Sequence, residues 1–297
     1  MKNNKNIFSD NETGTAYLFN LPLIIVSLAF IFLPVAGTII TSMFRDVTFL
    51  PGKFSLFSNY ERMLSDPHFW QSTVFTLIFV LVSVSLELIL GLIFALLLNE
   101  TIPGRGFLRV AILIPWAIPV AISARIWQLI YHFDYGLLNF IVLKLGISNE
   151  PVNWLGSPVG AFISIVISDV WKTTPFMTII LLAGLSTIPG DLYKQAEIDG
   201  TNFLQRFFRI TIPLLKPVIV VALLFRTIDA IRIFDLIYVL TGGGPGGSTA
   251  SLSLYAYNFF VSGDFGYGSA VSVIVFLFAA ILAFLYIHFG RFREAIK

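Results

Sequence analysis

Arg226, Asp229, Arg232 and Asp235 follow one another at steps of three inside an otherwise apolar stretch. Residues three apart on a helix are neighbours, so adjacent members of this ladder can pair. Each step also falls back by about 60° around the helix axis. On one helix Arg226 and Asp235 therefore point to nearly opposite sides, and the ladder cannot line a single pore. Asp169 and Lys172 repeat the spacing beside Trp171, while Glu87 and Arg125 stand in two further apolar stretches. An ionisable group near the centre of a membrane costs at least roughly 2.5–3.5 kcal/mol, so it faces protein or water. Trp171, Lys172, Asp229 and Arg232 together offer an aromatic face and several hydrogen-bonding groups, which suits a path for a hydroxyl-rich solute. Salt bridges that only hold a helix bundle together account for the same residues equally well. Arg125, near the outer end of its stretch, reads as snorkelling to the interface.

Other chemistries lack their residues. There are no cysteines, which excludes disulfides and thiolate chemistry. His68, His132 and His288 lie far apart and form no metal-ligand pattern. No Gly-x-x-x-x-Gly-Lys-Ser/Thr phosphate loop and no His-Glu-x-x-His helix is present. The chain is thus expected to be non-catalytic and to bind no metal or cofactor of its own. A net charge of +2 gives no reason to expect a nucleic-acid partner.

A second patterned region, residues 187–212, is polar and interrupted. Pro189-Gly190-Asp191 stops one element and starts another, with Asp191 as the expected N-cap. A helix of about two turns follows, and Gly200 suits the left-handed residue that ends it. Thr201 is the expected cap of a second short helix. Its Phe203, Leu204, Phe207, Phe208 and Ile210 recur at spacings of three and four, forming one apolar face. Pro213 and Pro217 are expected to limit that helix. Such an element fits a groove on a partner protein, or lies on the membrane surface or its own bundle.

The elements that carry these residues follow from composition. Hydrophobic residues make up 57% of the chain and charged residues 12%, about half the charged share of a soluble domain. A membrane-crossing helix needs about 20 mostly apolar residues. Six stretches qualify: 17–44, 72–98, 110–131, 160–185, 217–240 and 269–289. Pro175 is expected to kink the fourth. The reading is an all-α integral membrane domain over 17–290 with tails at 1–16 and 291–297. With the N-terminus inside, the inner segments hold eleven Lys and Arg (Lys2, Lys5, Arg105, Arg109, Lys194, Arg206, Arg209, Lys216, Arg291, Arg293, Lys297) and the outer segments four (Arg45, Lys53, Arg62, Lys144). That bias places both termini in the cytoplasm. The outer segment 241–268 has neither, but contains a glycine run at 242–247 and the aromatic residues Tyr255, Tyr257, Phe259, Phe260 and Phe265. These suit contact with an extracytoplasmic protein, Tyr255, Tyr257 and Phe265 being the candidates, or an interfacial aromatic belt.

Tyr193-Lys194-Gln195-Ala196-Glu197-Ile198-Asp199-Gly200-Thr201, followed by Phe207, Ile210, Pro213 and Pro217, resembles the cytoplasmic EAA motif of ATP-binding-cassette importer permeases. Ala196, Asp199 and Gly200 match; Lys194 stands where the family pattern has Glu, Gln195 where it has Ala, and Thr201 where it has the last Ala. Pro115-Trp116-Ala117-Ile118-Pro119, Asp134-Tyr135-Gly136, Asn153-Trp154-Leu155, Trp171-Lys172-Thr173-Thr174-Pro175 and Phe234 to Pro245 are similar to the sugar-importing branch related to maltose, trehalose and glycerol-phosphate permeases. The resemblance implies the six-helix type I importer (MetI-like) fold in the cell membrane of a bacterium or archaeon. It implies a second permease, two ATPase subunits that bind ATP and Mg, a solute-binding protein and a sugar substrate. Coupling to the ATPases is then carried by Tyr193, Ala196, Asp199, Gly200, Phe203 and Phe207. The competing reading is a secondary transporter driven by an ion gradient, which the intramembrane carboxylates allow; paired, interrupted repeats typical of such folds are not visible in the sequence.

Overall fold

A computed structural model describes residues 10–290 apart from 46, 47, 49–51 and 102. Residues 1–9 of the predicted tail at 1–16 and all of the tail at 291–297, with the five basic residues they carry, lie outside the described residues. Within them, five helices are long and apolar enough to cross a membrane: Tyr17–Ser42, Pro67–Asn99, Pro158–Ser186, Phe203–Ile231 and Phe265–His288. A sixth span is a broken one, Arg105–Ala117 plus Val120–Ile130, bent by 90°. A two-residue ribbon pairs Phe44 with Phe54 and Arg45 with Lys53.

The fourth span is the central one. Most of its apolar stretch is buried, whereas none of the first span's is. It packs along the second span, where Gly91 lies against Met177, and against the fifth, where Gly184 lies against Leu215 and Val218. Lipid is as apolar as a leucine side chain, so close packing at small residues, rather than hydrophobic burial, holds such helices together. One core joins the spans toward one end of the bundle around Phe79, Ile165, Ile237, Leu252 and Tyr267. A smaller one around Ala95, Met177, Leu181 and Leu215 holds them toward the other.

Prolines act differently from one span to the next. Pro119 forces the preceding Ile118 into extended backbone (ψ 131°), since its ring clashes with a helical neighbour; the predicted single span 110–131 is therefore two half-helices. Pro175 was expected to kink the fourth span, yet the helix Pro158–Ser186 runs through it without a break. Pro34 and Pro213 each stand two residues past the end of a wide π turn, Leu28–Phe32 and Phe207–Thr211. In each, the next backbone N–H reaches the carbonyl five residues back (Leu33 to Leu28, Ile212 to Phe207). The wider turn makes room for a ring that an α turn would exclude. Pro213 and Pro217 therefore do not limit the short amphipathic helix. It runs on into the fifth span, which begins at Phe203 and not at the predicted 217.

The fifth span also ends early. Its helix stops at Ile231, and residues 235–240 form a separate helix, Asp235–Leu240. The Ile233 carbonyl freed by the break accepts the Ser251 hydroxyl at 2.7 Å. The predicted four-rung ladder on one helix is thus corrected: Arg226, Asp229 and Arg232 belong to one helix and its cap, and Asp235 opens the next.

Candidate functional site

At one end of the bundle, Gly190–Ile198 forms the first short helix, with Pro189 rather than Asp191 as N-cap. Asp191 sits in the first turn and pairs with Lys194 at 3.0 Å. Gly200 takes φ +73°. Its N–H reaches the Glu197 carbonyl at 3.0 Å and that of Thr201 reaches Ala196 at 3.1 Å, the paired bonds of a Schellman stop. The second cap is Asn202, not Thr201. Asn202 and Gln205 close a capping box, in which each side chain accepts the other's backbone N–H, while the Thr201 hydroxyl donates to Ala196.

Ala196 is buried, and the Tyr193 hydroxyl lies 3.0 Å from that of Thr211. These two fasten the first helix to the start of the fifth span. Ile198, Phe203, Leu204 and Phe208 point outward, Ile198 being 86% exposed. Between the two short helices and the end of the second span lies a cavity of about 350 Å³ lined by Leu96, Asn99, Tyr193, Glu197, Phe203 and Phe207. The segment is a rigid knuckle with an apolar face turned away from its own bundle.

Inside the bundle, one guanidinium joins three helices. Arg226 donates to Glu87 of the second span through Nε and Nη2, to Asp169 of the fourth through Nη2, and to Asp229 on its own helix at 3.0 Å. Thr173 adds a hydrogen bond to Glu87 at 2.8 Å. The Glu87 side chain is fully buried and that of Arg226 3% exposed, while Asp229 is 63% exposed. Charge therefore runs from a buried knot to an exposed edge, where Arg232 lies 3.7 Å from Asp229. Beside that edge is a cavity of about 310 Å³ lined by Trp116, Thr173, Phe176, Phe225, Asp229 and Arg232, among others.

Of the four predicted path residues, Asp229 and Arg232 meet in this cavity and two do not. Trp171 lines a separate apolar groove with Leu86, Phe94, Ile112 and Pro115. Lys172 is buried, and its ammonium donates to the carbonyls of Pro115, Trp116 and Ile118 at the break in the third span. Arg125 is exposed and donates to Gln128 at 2.7 Å.

At the opposite end, Tyr255 is corrected from a surface residue to an internal one. It is buried, its hydroxyl donates to the Asp66 carboxylate, and it lies 3.1 Å from the hydroxyl of Tyr267. Burial alone would raise the Asp66 pKa, but hydrogen bonds from Tyr255, the His68 backbone and Tyr267 hold it below its ordinary value. Arg62 pairs with Asp264 at 2.6 Å and lies over the Tyr267 ring at 4.2 Å, tying the first outer segment to the last. Tyr257 and Phe265 remain partly exposed; Tyr257 packs with Phe234 and Tyr238 in a three-ring cluster.

Residues 87–294 match the family model described as binding-protein-dependent transport system inner membrane component. The chain belongs to that family. Among its relatives, the trehalose/maltose transport system permease protein MalF of Thermococcus litoralis is 58% identical over 95% of this chain and 96% of its own. The sulfoquinovosyl glycerol transport system permease protein SmoG of Agrobacterium fabrum is 41% identical over 94% and 91%. A solved bacterial alginate ABC transporter, crystallised with an alginate pentasaccharide-bound periplasmic protein, superposes with a TM-score of 0.82 at 22% identity over 95% of each chain. That likeness confirms the all-α type I importer fold of this permease.

The sequence singled out Glu87, Asp169 and Arg226 of this permease as intramembrane charges without joining them. Their separation of up to 139 residues hides the contact. Only the reading of these residues as salt bridges that hold a helix bundle together pointed toward it. Trp116 was noted only as part of a Pro-Trp motif, because nothing in the sequence bends the third span toward Asp229.

Proposed function

We propose that this permease carries a di- or oligosaccharide into the cytoplasm as one half of the membrane pathway of an ATP-binding-cassette importer. Its companions on this reading are a second permease, two ATPases that bind ATP and Mg, and an extracytoplasmic solute-binding protein. The observation that carries the reading is the knuckle at 190–208. Its apolar residues Ile198, Leu204 and Phe208 are exposed, as a lever seated in a partner's groove requires, and Phe203 lines the cavity beside them. Tyr193, Ala196, Asp199, Gly200 and Phe207 shape that lever, and its continuity with the fifth span transmits a push to Arg226, Asp229 and Arg232. The relatives' names supply the sugar class. Tyr257 and Phe265 are the exposed aromatic residues offered to the binding protein.

Both termini lie in the cytoplasm and the membrane is the cell membrane on this reading, following the excess of basic residues at the knuckle end. The interrupted third and fifth spans are also features of gradient-driven carriers, so the decisive experiment includes that arm. The complete complex is reconstituted in vesicles with ATP inside and binding protein outside, and uptake of labelled trehalose and maltose is followed. Accumulation that needs both ATP and binding protein is expected, with Asp229→Asn slowing it. Accumulation by this chain alone under an ion gradient, without an ATPase, would replace the proposal by a secondary transporter.

A further inference from the structure

A break in a membrane-spanning helix leaves carbonyls that neither lipid nor the helix can satisfy. At the end of Arg105–Ala117 one buried ammonium takes three of them: Lys172 donates to Pro115, Trp116 and Ile118. An ammonium has three donors, so all are engaged, and a cation at a helix C-terminus also complements the helix dipole. No carboxylate forms a salt bridge with Lys172 among the described residues. Its hydrogen bonds all run to the backbone at the end of Arg105–Ala117, just before the 90° bend.

That backbone carries Trp116. Trp116 is 51% exposed, its ring stacks on Phe176 at 6.1 Å, and it lines the 310 Å³ cavity together with Asp229 and Arg232. The cavity thus combines an aromatic ring with an exposed carboxylate and guanidinium. A pyranose ring has the matching surfaces, with axial C–H groups on its faces and hydroxyls around its rim. Trp171, next to Lys172 in sequence, points instead into an apolar groove with no charged residue among those lining it.

We propose that Trp116 is the platform on which a ring of the transported sugar lies, and that Lys172 is the positioning residue that fixes the platform by pinning the broken third span. The proposal rests on the sugar-importer reading. Asp229 and Arg232 take the hydroxyls while Trp116 takes the ring face, and Lys172 never touches the sugar.

The test is equilibrium binding of labelled neutral di- and trisaccharides, maltose and trehalose among them, to the complete purified complex in nanodiscs without binding protein. Trp116→Leu is expected to weaken binding roughly two- to tenfold, and Trp116→Tyr to stay near the wild type. Lys172→Met is expected to weaken it similarly, and to add nothing in the Trp116→Leu background, because both remove one contact. Should Lys172→Met fail to assemble, Lys172→Gln, which retains two donors for the same carbonyls, carries the comparison. Unchanged affinity in Trp116→Leu overturns the platform. Losses that add between the two positions, or a Lys172 variant with lower thermal stability but wild-type affinity, overturn the positioning role. A wild-type complex that binds no sugar of the panel defeats the importer reading itself, a result distinct from failure confined to the variants.

Discussion

Arg226→Met removes the guanidinium at the centre of the intramembrane knot while keeping a side chain of similar length. Glu87 loses its only cationic partner among the described salt bridges, and Asp169 loses its own. With Glu87 fully buried and Asp169 10% exposed, little water reaches either carboxylate. Breaking a buried pair by removing one member costs about 3–5 kcal/mol, a large part of a total stability of roughly 5–15 kcal/mol. The exposed Asp229 adds little, since pairs open to solvent contribute about 0–1 kcal/mol. The sign of the effect is tested by adding Glu87→Gln and Asp169→Asn to Arg226→Met. If the cost is that of stranded charge, the triple variant regains at least half of what the single one loses. Denaturant unfolding of the purified complex in mixed micelles measures both. Arg226→Met within about 1 kcal/mol of the wild type, or a triple variant no more stable than the single, would refute the view that this guanidinium ties the second, fourth and fifth spans together.

Three further outcomes are expected. Gly200→Val strains a residue held at φ +73° with open space around it, at a cost of about 1–2 kcal/mol. It should leave ATP hydrolysis poorly coupled to sugar uptake, with Gly200→Asn milder; equal sugar transported per ATP in all three would contradict the lever. Gly184→Val builds a Cβ within 2.7–2.9 Å of Leu215 and Val218 and should cost about 1–3 kcal/mol through overpacking, read as a lower melting temperature. The Asp66 carboxyl, held below its ordinary pKa, contributes stability that is complete above the normal carboxylate range and is lost as pH falls through its folded value. Tyr255→Phe should therefore lower stability at neutral pH and flatten the loss on acidification. A wild-type acid limb in that variant would remove Asp66 from the account.

The apolar runs determined most of the architecture without any coordinates. Crossing a membrane demands long hydrophobic stretches, so four of the six spans could be read within a few residues of most of their ends, while the third was read as one unbroken span and the fifth was misread at both ends. The Gly200 stop was equally legible, because a left-handed residue is a local requirement. The break at Pro119 was not read from the chain, where 110–131 is expected as a single span, and neither was its 90° angle. Tertiary structure decided what local chemistry leaves open. Residues 226–240 contain no Gly or Pro, so the stop at Ile231 has no signature in the chain, and it is the Ser251 hydroxyl that satisfies the freed carbonyl of Ile233. Whether Asp191 or Pro189 caps, whether Tyr255 faces solvent or Asp66, and whether Lys172 meets a sugar or a helix end depend on which segments are brought alongside. The intramembrane knot is the clearest case. Glu87, Asp169 and Arg226 are unremarkable singly, and become one site because three spans, packed closely at Gly91 and Gly184, bring both carboxylates within reach of a single guanidinium.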